Sequence, residues 1–383
     1  MTNDDACNAT WIDHPEALRE WLAALPPTAA VGVDTEFMRT HTFFPQLALL
    51  QLGHGTRQAL VDPLACDLDG LLRSSLGGAS MVTVMHSASE DLEALAPALP
   101  QGPGTLFDTQ LAAALVGMGL GLSYRALVQA LAGVELDKGE TRSNWLQRPL
   151  SPAQRSYATL DVVYLDTLHE QLSARLEQRG RSAWHAEECA RLKQRGSSQD
   201  PDPQPQRAMR AAADWPAPKQ ALLRRLLLWR DATARQLDVP RPWLLADALA
   251  LDLAHEPPAT STALEQRSRG QRALRSAQRK AVLELLDRPL EAADIEATLP
   301  VIGHAQGASK AALNAMKQEV DAVAAQLDLP SGLLCPRKVL EEFAVTTTWP
   351  AFLDGWRRDL LHARLTALLP DGAKSLGGLA ARC

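Results

Sequence analysis

The sequence predicts an α/β domain, a mixed sheet flanked by helices, followed by two all-α helical-bundle domains. Three observations carry that expectation. Apolar runs at residues 30–36, 46–53 and 57–62 read as strands with short connections between them, as in an antiparallel meander. A further run at 81–86 follows a helix-like stretch near 68–75, which adds a parallel crossover. Beyond about residue 207 the strand pattern does not recur, and leucines return at helical spacing instead. The 383 residues therefore divide into 1–195, a linker at 196–206, and helical domains at 207–290 and 291–383.

Each element has a local reason. Asp13-His14-Pro15-Glu16 resembles a capping box and starts a helix with Leu18, Trp21, Leu22 and Leu25 on one face. After the strands at 30–36, 46–53, 57–62 and 81–86, a helix is expected at 90–97, capped by Ser87 or Ser89. Thr105–Asp108 reads as a last short strand leading into helices at 109–117, 123–132 and 152–180. Prolines and turn formers without periodicity at 196–205 mark the linker. In the first helical block a helix at 219–237 ends at Pro240-Arg241-Pro242, and runs at 243–254 and 274–286 complete a small bundle. A second helical block spans about 291–370.

With 46% hydrophobic and 22% charged residues the composition is that of a globular protein able to bury sizeable cores. No apolar run reaches the 18 or so residues of a membrane span, and the first residues are acidic, unlike a signal peptide. Five scattered cysteines form no CxxC pair or Cys/His cluster, so they read as free thiols in a reducing cytoplasm. Residues 1–200 carry 15 Lys and Arg against 24 Asp and Glu, a net of −9, and the remainder 24 against 21, a net of +3. Acid is thus concentrated in the first domain, while residues 207–290 reach +6 from 15 basic and 9 acidic side chains.

One run organises the first domain. Val31-Gly32-Val33-Asp34-Thr35-Glu36-Phe37 alternates as a strand and turns Asp34 and Glu36 to one side, roughly 7 Å apart along the backbone. Like charges so placed repel, and they become favourable around a divalent cation, because hard cations take oxygen ligands. A solvated strand end is the alternative reading. Asp91 opens the helix after the 81–86 strand, where an acid also suits a positive helix N-terminus. Tyr157 and Asp161 stand four residues apart on one helix face, as an amphipathic surface pair also would.

In combination and order, Asp34-x-Glu36, then Asp91, then Tyr157-x-x-x-Asp161 resemble the three motifs of the DEDD family of 3′-to-5′ exonucleases, in its tyrosine subclass. The flanks resemble the ribonuclease D family: Asp34–Thr40 running into Phe43–Leu52, His86–Leu92, and Thr141–Trp145 through Arg148–Ser151. Trp229-Arg230 through Val239-Pro240-Arg241 resembles the helicase-and-RNase-D C-terminal (HRDC) domain. Leu333–Arg337 and Gly355-Trp356-Arg357 resemble the further C-terminal domain of that family.

That resemblance implies a ribonuclease-H-like fold and two divalent metal ions, Mg²⁺ or Mn²⁺, held by Asp34, Glu36, Asp91 and Asp161. Asp34 would bridge both ions, Glu36 and Asp161 would complete the site of the attacking water, and Asp91 would support the second ion. Such a pair of ions clamps the attacking and leaving oxygens of a phosphodiester. Tyr157, with an unperturbed pKa of about 10, would orient the water and not deprotonate it. The implied substrate is RNA, the single-stranded 3′ ends of tRNA precursors and other small structured RNAs, released as 5′-mononucleotides by a cytoplasmic monomer with no membrane partner.

Further contacts follow from position. Phe37, Phe43 and Phe44, close after the first motif, could stack on a base or pack in the core. Gln46, His86 and Lys138 are candidates for phosphate or sugar, with His86 alternatively closing the strand end. Arg272, Arg275 and Arg279 at i, i+3, i+7 form either a phosphate-binding stripe or a solvated helix face. Thr159, where the family more usually has Ala, lies between the two functional positions on another helix face and is expected to matter little. A DNA exonuclease of proofreading or repair type uses the same four acids, and an inactive RNA-binding scaffold would lack them.

Overall fold

The computed structural model describes residues 9–68, 70–137, 139, 143–197 and 200–370. The chain order in the first half is β1 (Thr10–Ile12), α1 (Pro15–Ala23), β2 (Ala30–Met38), β3 (Gln46–His54), β4 (Arg57–Val61), α2 (Leu71–Ser75), β5 (Val82–Met85), α3 (Ser89–Leu95) and β6 (Thr105–Asp108). Helices α4 (Thr109–Leu115), α5 (Tyr124–Ala132), α6 (Pro152–Val163), α7 (Leu165–Gln178) and α8 (Ser182–Ser197) follow.

The sheet runs β1-β4-β3-β2-β5-β6. The expected meander is there: β2–β3 and β3–β4 are antiparallel, while β1–β4, β2–β5 and β5–β6 are parallel. One face buries Val31, Val33, Leu50 and Leu52 against α1, α2, α3 and α8. The other face carries Gly32 and Gly53, and there α6 and α7 come close. A Cβ on Gly53 would lie 2.9 Å from the Val162 carbonyl oxygen, and one on Gly32 3.0 Å from Leu165 Cβ, so these two glycines set the approach of the helices.

The remaining elements are helical: α9 (Ala217–Leu237), α10 (Arg241–Leu244), α11 (Asp247–His255), α12 (Ser261–Arg267), α13 (Ser276–Asp287) and α14 (Ala292–Glu296), then α15 (Gly307–Leu327), α16 (Ser331–Leu334), α17 (Arg337–Thr346) and α18 (Trp356–Thr366). Helices α9 to α14 form a first helical region whose core holds Leu223, Leu226, Leu244 and Leu253. Helices α15 to α18 form a second, whose Met316, Phe343, Leu361 and Leu365 belong to the same core as Leu115, Leu165 and Leu168 of the sheet domain. The two regions repeat one corner. Both α9 and α15 have 21 residues and end in a left-handed aspartate, Asp238 (φ 48°) or Asp328 (φ 49°), followed by a proline and a four-residue helix.

Several expectations need correcting. β1 and α8 have no counterpart in the periodicity. The first strand is only three residues long, and α8 buries the polar His185 and Glu188 beside Cys189 and Leu192. The 152–180 helix is two helices that meet at Tyr164. His14 makes no side-chain cap on α1, and the residue before α3 is Ala88, not a capping serine. Asp108 and Ser151 do cap α4 and α6, the latter in a full capping box with Gln154. Among the described residues no helix is long and apolar enough to cross a membrane.

Candidate active site

Pairing of β2 with β5 ends at Gly32↔Val84, while pairing with β3 continues to Met38↔Gln46. Beyond Gly32 one edge of β2 is therefore free of a strand neighbour, and Asp34 and Glu36 lie in that stretch. Helix α3 starts where β5 leaves the sheet and brings Asp91 alongside, and α6 brings Tyr157 and Asp161 across the face opened by the glycines.

The five side chains stand within reach of one another's charge. Burial raises Asp34 well above the ordinary carboxylate range, and Asp91, Asp161 and Glu36 add to the rise. Glu36 is pushed up to about 9 by burial and then by Asp161 and Asp91. Asp161 is raised to about 7, mainly by burial, and Asp91 to about 6, in spite of a 2.5 Å hydrogen bond from Thr35 Oγ1. The Tyr157 phenol is hydrogen-bonded to Asp161 and is raised above its ordinary value by burial and by Asp161, Glu36 and Asp34. Its ring lies 6.1 Å from Trp145, and the chain at Gly139 passes so near that a Cβ there would fall 1.8 Å from Tyr157 Cδ2.

Asp91 is buried and Asp34, Glu36 and Asp161 are half-buried near it; four carboxylates so placed are a costly arrangement without positive charge among them, and the set is all hard oxygen donors. That chemistry fits divalent cations. Among the described residues no three of these side chains converge as a ready-made cage, and one Asp91 oxygen is taken by Thr35.

The other sequence candidates separate. Phe43 is 4% exposed and lies inside the core of the first helical region, so it is not a stacking platform. Phe44 is half-buried beside it and lines a cleft of about 890 Å³ together with Arg39, Ser89, Glu93, Arg235 and Arg241. Phe37 sits half-buried after the β2 irregularity between Glu36 and Phe37, and Gln46 is exposed at the start of β3. Both His86 ring nitrogens are occupied, Nδ1 by Thr109 Oγ1 at 2.9 Å and Nε2 by the Leu122 carbonyl at 3.0 Å, so His86 is a structural tie. Lys138 lies outside the described residues.

The arginine stripe is not a helix face. Arg272 and Arg275 precede α13, Arg275 being the residue before its first turn, and Arg272 stacks on Trp243 at 4.9 Å. Arg279 donates to the Leu274 carbonyl and faces Glu265 at 3.6 Å. Thr159 is buried, its hydroxyl donating to the Arg155 carbonyl.

Three groups at the site escaped the sequence reading. Thr35 holds Asp91 from the opposite face of β2. Tyr124 donates to the Leu160 carbonyl, accepts from the Tyr164 amide, and stands near enough to Asp161 and Asp34 for their charge to raise its pKa. Arg39 donates to both oxygens of Glu93, at 2.8 and 2.7 Å, joining the end of β2 to α3. The signal for Thr35 was in the alternation; the other two depend on contacts between distant segments.

Residues 9–177 match the 3′-5′ exonuclease family profile and residues 219–285 that of the HRDC domain. A ribonuclease D of Xanthomonas oryzae pv. oryzae is 42% identical over 94% of this chain and 98% of its own length. One of Granulibacter bethesdensis is 33% identical over 94% and 92%. The crystal structure of Escherichia coli RNase D, described as an exoribonuclease involved in structured RNA processing, superposes with a TM-score of 0.81 at 27% identity, covering 94% of this chain and 98% of that one.

Proposed function

The chain belongs to the ribonuclease D family and is a metal-dependent 3′-to-5′ exoribonuclease, and on that premise we propose that Asp34, Glu36, Asp91, Tyr157 and Asp161 form its hydrolytic site. The observation that carries this is the placement of Asp34 and Glu36 on the stretch of β2 that has no β5 partner, with Asp91 on α3 and Tyr157 and Asp161 on α6, two helices packed against that strand. Asp34, Glu36, Asp91 and Asp161 would hold two ions, Mg²⁺ or Mn²⁺. Bound ions supply the charge that makes a water acidic and offsets charge on the departing oxygen.

The chain's own residues do the rest. Thr35 fixes the rotamer of Asp91 by its hydroxyl, and α6 fixes Tyr157 relative to Asp161 within one helical turn. With an ordinary pKa of about 10, the phenol serves by hydrogen bonding and aims a water at the phosphate. The wall of Trp145 and the chain at Gly139 limit how that ring can turn.

The substrate class on this reading is the single-stranded 3′ end of tRNA precursors and other small structured RNAs, shortened to release 5′-mononucleotides by a monomer in the cytoplasm. The repeated Asp238 and Asp328 corners support reading residues 307–366 as a second HRDC-type bundle beside the first. We divide the two near residue 302, not at 291, because α14 packs on α9 and the Val301 amide donates to Gln220. The exonuclease domain extends through α8 to Ser197, so the linker is shorter than 196–206.

The test follows 5′-labelled single-stranded RNA and its DNA counterpart with Mg²⁺, Mn²⁺ or EDTA, running Asp161→Asn alongside. A metal-dependent ladder shortening from the RNA 3′ end, lost in the variant and weak on DNA, is the expected result. Equal digestion of DNA would favour a repair exonuclease, and an active Asp161→Asn would remove the site assignment.

A further inference from the structure

The segment joining β2 to β3, residues 39–45, is held at both ends. Amides of Phe43 and Phe44 donate to Asp238 Oδ1 at 2.9 and 3.1 Å. The Phe43 ring is plugged into the core of the first helical region, with the guanidinium carbons of Arg235 and Arg241 4.7 and 4.4 Å from its centroid. Those two arginines are steadied by the nearly buried Asp231. His41 adds a ring contact with Trp243 at 5.3 Å. Going the other way, the Phe43 carbonyl accepts from Arg39 Nε at 3.0 Å, and Arg39 grips Glu93 with two parallel bonds.

Arg39 stands three residues after Glu36, and Glu93 two residues after Asp91. A continuous line of direct contacts therefore runs from the α9 corner through the Phe43 backbone and Arg39 to the helix bearing Asp91. Its fork geometry fixes direction as well as distance, which a single bond would not.

We propose that Asp238 is a positioning residue for hydrolysis: by holding the 39–45 segment it sets, through Arg39 and Glu93, where α3 presents Asp91 to Asp34 and Glu36. The first helical region thus acts on the chemical step as well as on RNA affinity. This rests on the assignment of Asp91 to the hydrolytic site. Displacements of about 1 Å at a reacting centre change rates by up to two orders of magnitude, so a loosened α3 has a kinetic signature.

The probe is a ribodinucleotide, which offers the helices no length of backbone to grip. With the full-length protein, Asp238→Ala is expected to lower kcat on the dinucleotide about tenfold with a smaller change in KM, and to speed amide hydrogen exchange in α3. Asp238→Asn keeps an acceptor oxygen and tolerates the left-handed conformation, so it is expected to restore both. Arg39→Gln cuts the line at its other end without touching the first helical region, and keeps the test valid should Asp238→Ala unfold that region. It should give the same loss, and the double variant should lose little more than either alone. Wild-type kcat on the dinucleotide in Arg39→Gln, or equal damage from Asp238→Asn and Asp238→Ala, would overturn the proposal. Failure of the underlying site reading shows separately, as an active Asp161→Asn.

Discussion

The two helical regions are attached to the exonuclease domain by the same kind of corner but in different ways. The first has its own core, which Phe43 of the exonuclease domain enters with Phe44 packed against it. The second shares one continuous core with α4, α5 and α7. At the second corner Arg179 pairs with Asp328 at 2.9 Å, and Arg181 donates to carbonyls of both Leu115 and Leu327. Further along, Arg357 is buried against Glu188 of α8, flanked by Phe352 and Trp356 at 4.4 Å each, and Trp184 stacks on Trp356 at 4.5 Å. The lesson is that two helical regions with the same corner can relate to one host differently, the first keeping a core of its own and the second sharing the host's.

The strongest way to break the comparison is Arg357→Ala. It strips Glu188 of its two bonds from Arg357 and leaves it with Arg191 at 4.0 Å, at a cost of up to about 3–5 kcal/mol, and calorimetry should show the exonuclease domain and second region melting earlier together. Leu226→Ala, in the first region's separate core, should cost roughly 2–5 kcal/mol. That loss should appear as an earlier transition of its own, with the main one unmoved. One shared shift for both variants would erase the distinction.

A pH series sharpens it further. Burial alone would raise Glu188, but hydrogen bonds from Arg357 and Trp356 outweigh it and hold the carboxyl below its ordinary value. Its contribution is whole above the unfolded pKa of about 4.3 and is lost as pH falls through the lower folded value. Tryptophan fluorescence should thus report loosening of the second region in acid, and Glu188→Gln should remove that acid dependence. The smallest effect is expected from Asp34→Asn. It relieves repulsion among the four carboxylates, and should stabilise the protein in EDTA by about 1 kcal/mol while abolishing hydrolysis.

How much of this the chain discloses in advance depends on whether a feature is local. β2 to β5 were legible because alternation in Val31–Glu36 or Leu47–Leu52 needs no knowledge of the rest. The five candidate site residues stood out through the resemblance of their combination and order to the DEDD motifs, because their strand and helix spacing fits a solvated strand end or a surface pair as well. α8 was hidden because its buried Glu188 and His185 break the apolar pattern. Which of the two roles Phe43 takes was not legible because its neighbours in sequence are at the first motif while its ring packs about 190 residues away, against α9 and α10. The arginine stripe failed because the spacing assumed a helix through a segment that is still a turn at Arg272.

The buried pairing of Glu188 with Arg357 also orders events during synthesis. A ribosome releases α8 well before α18, so the growing nuclease holds Glu188 beside Arg191 at 4.0 Å but without its bonds from Arg357 until residue 357 has emerged. A chain interrupted before that point would be left with its exonuclease domain unfinished, and so exposed to proteolysis while a complete one is not. Helix α18 is in this sense a completion check on the first domain.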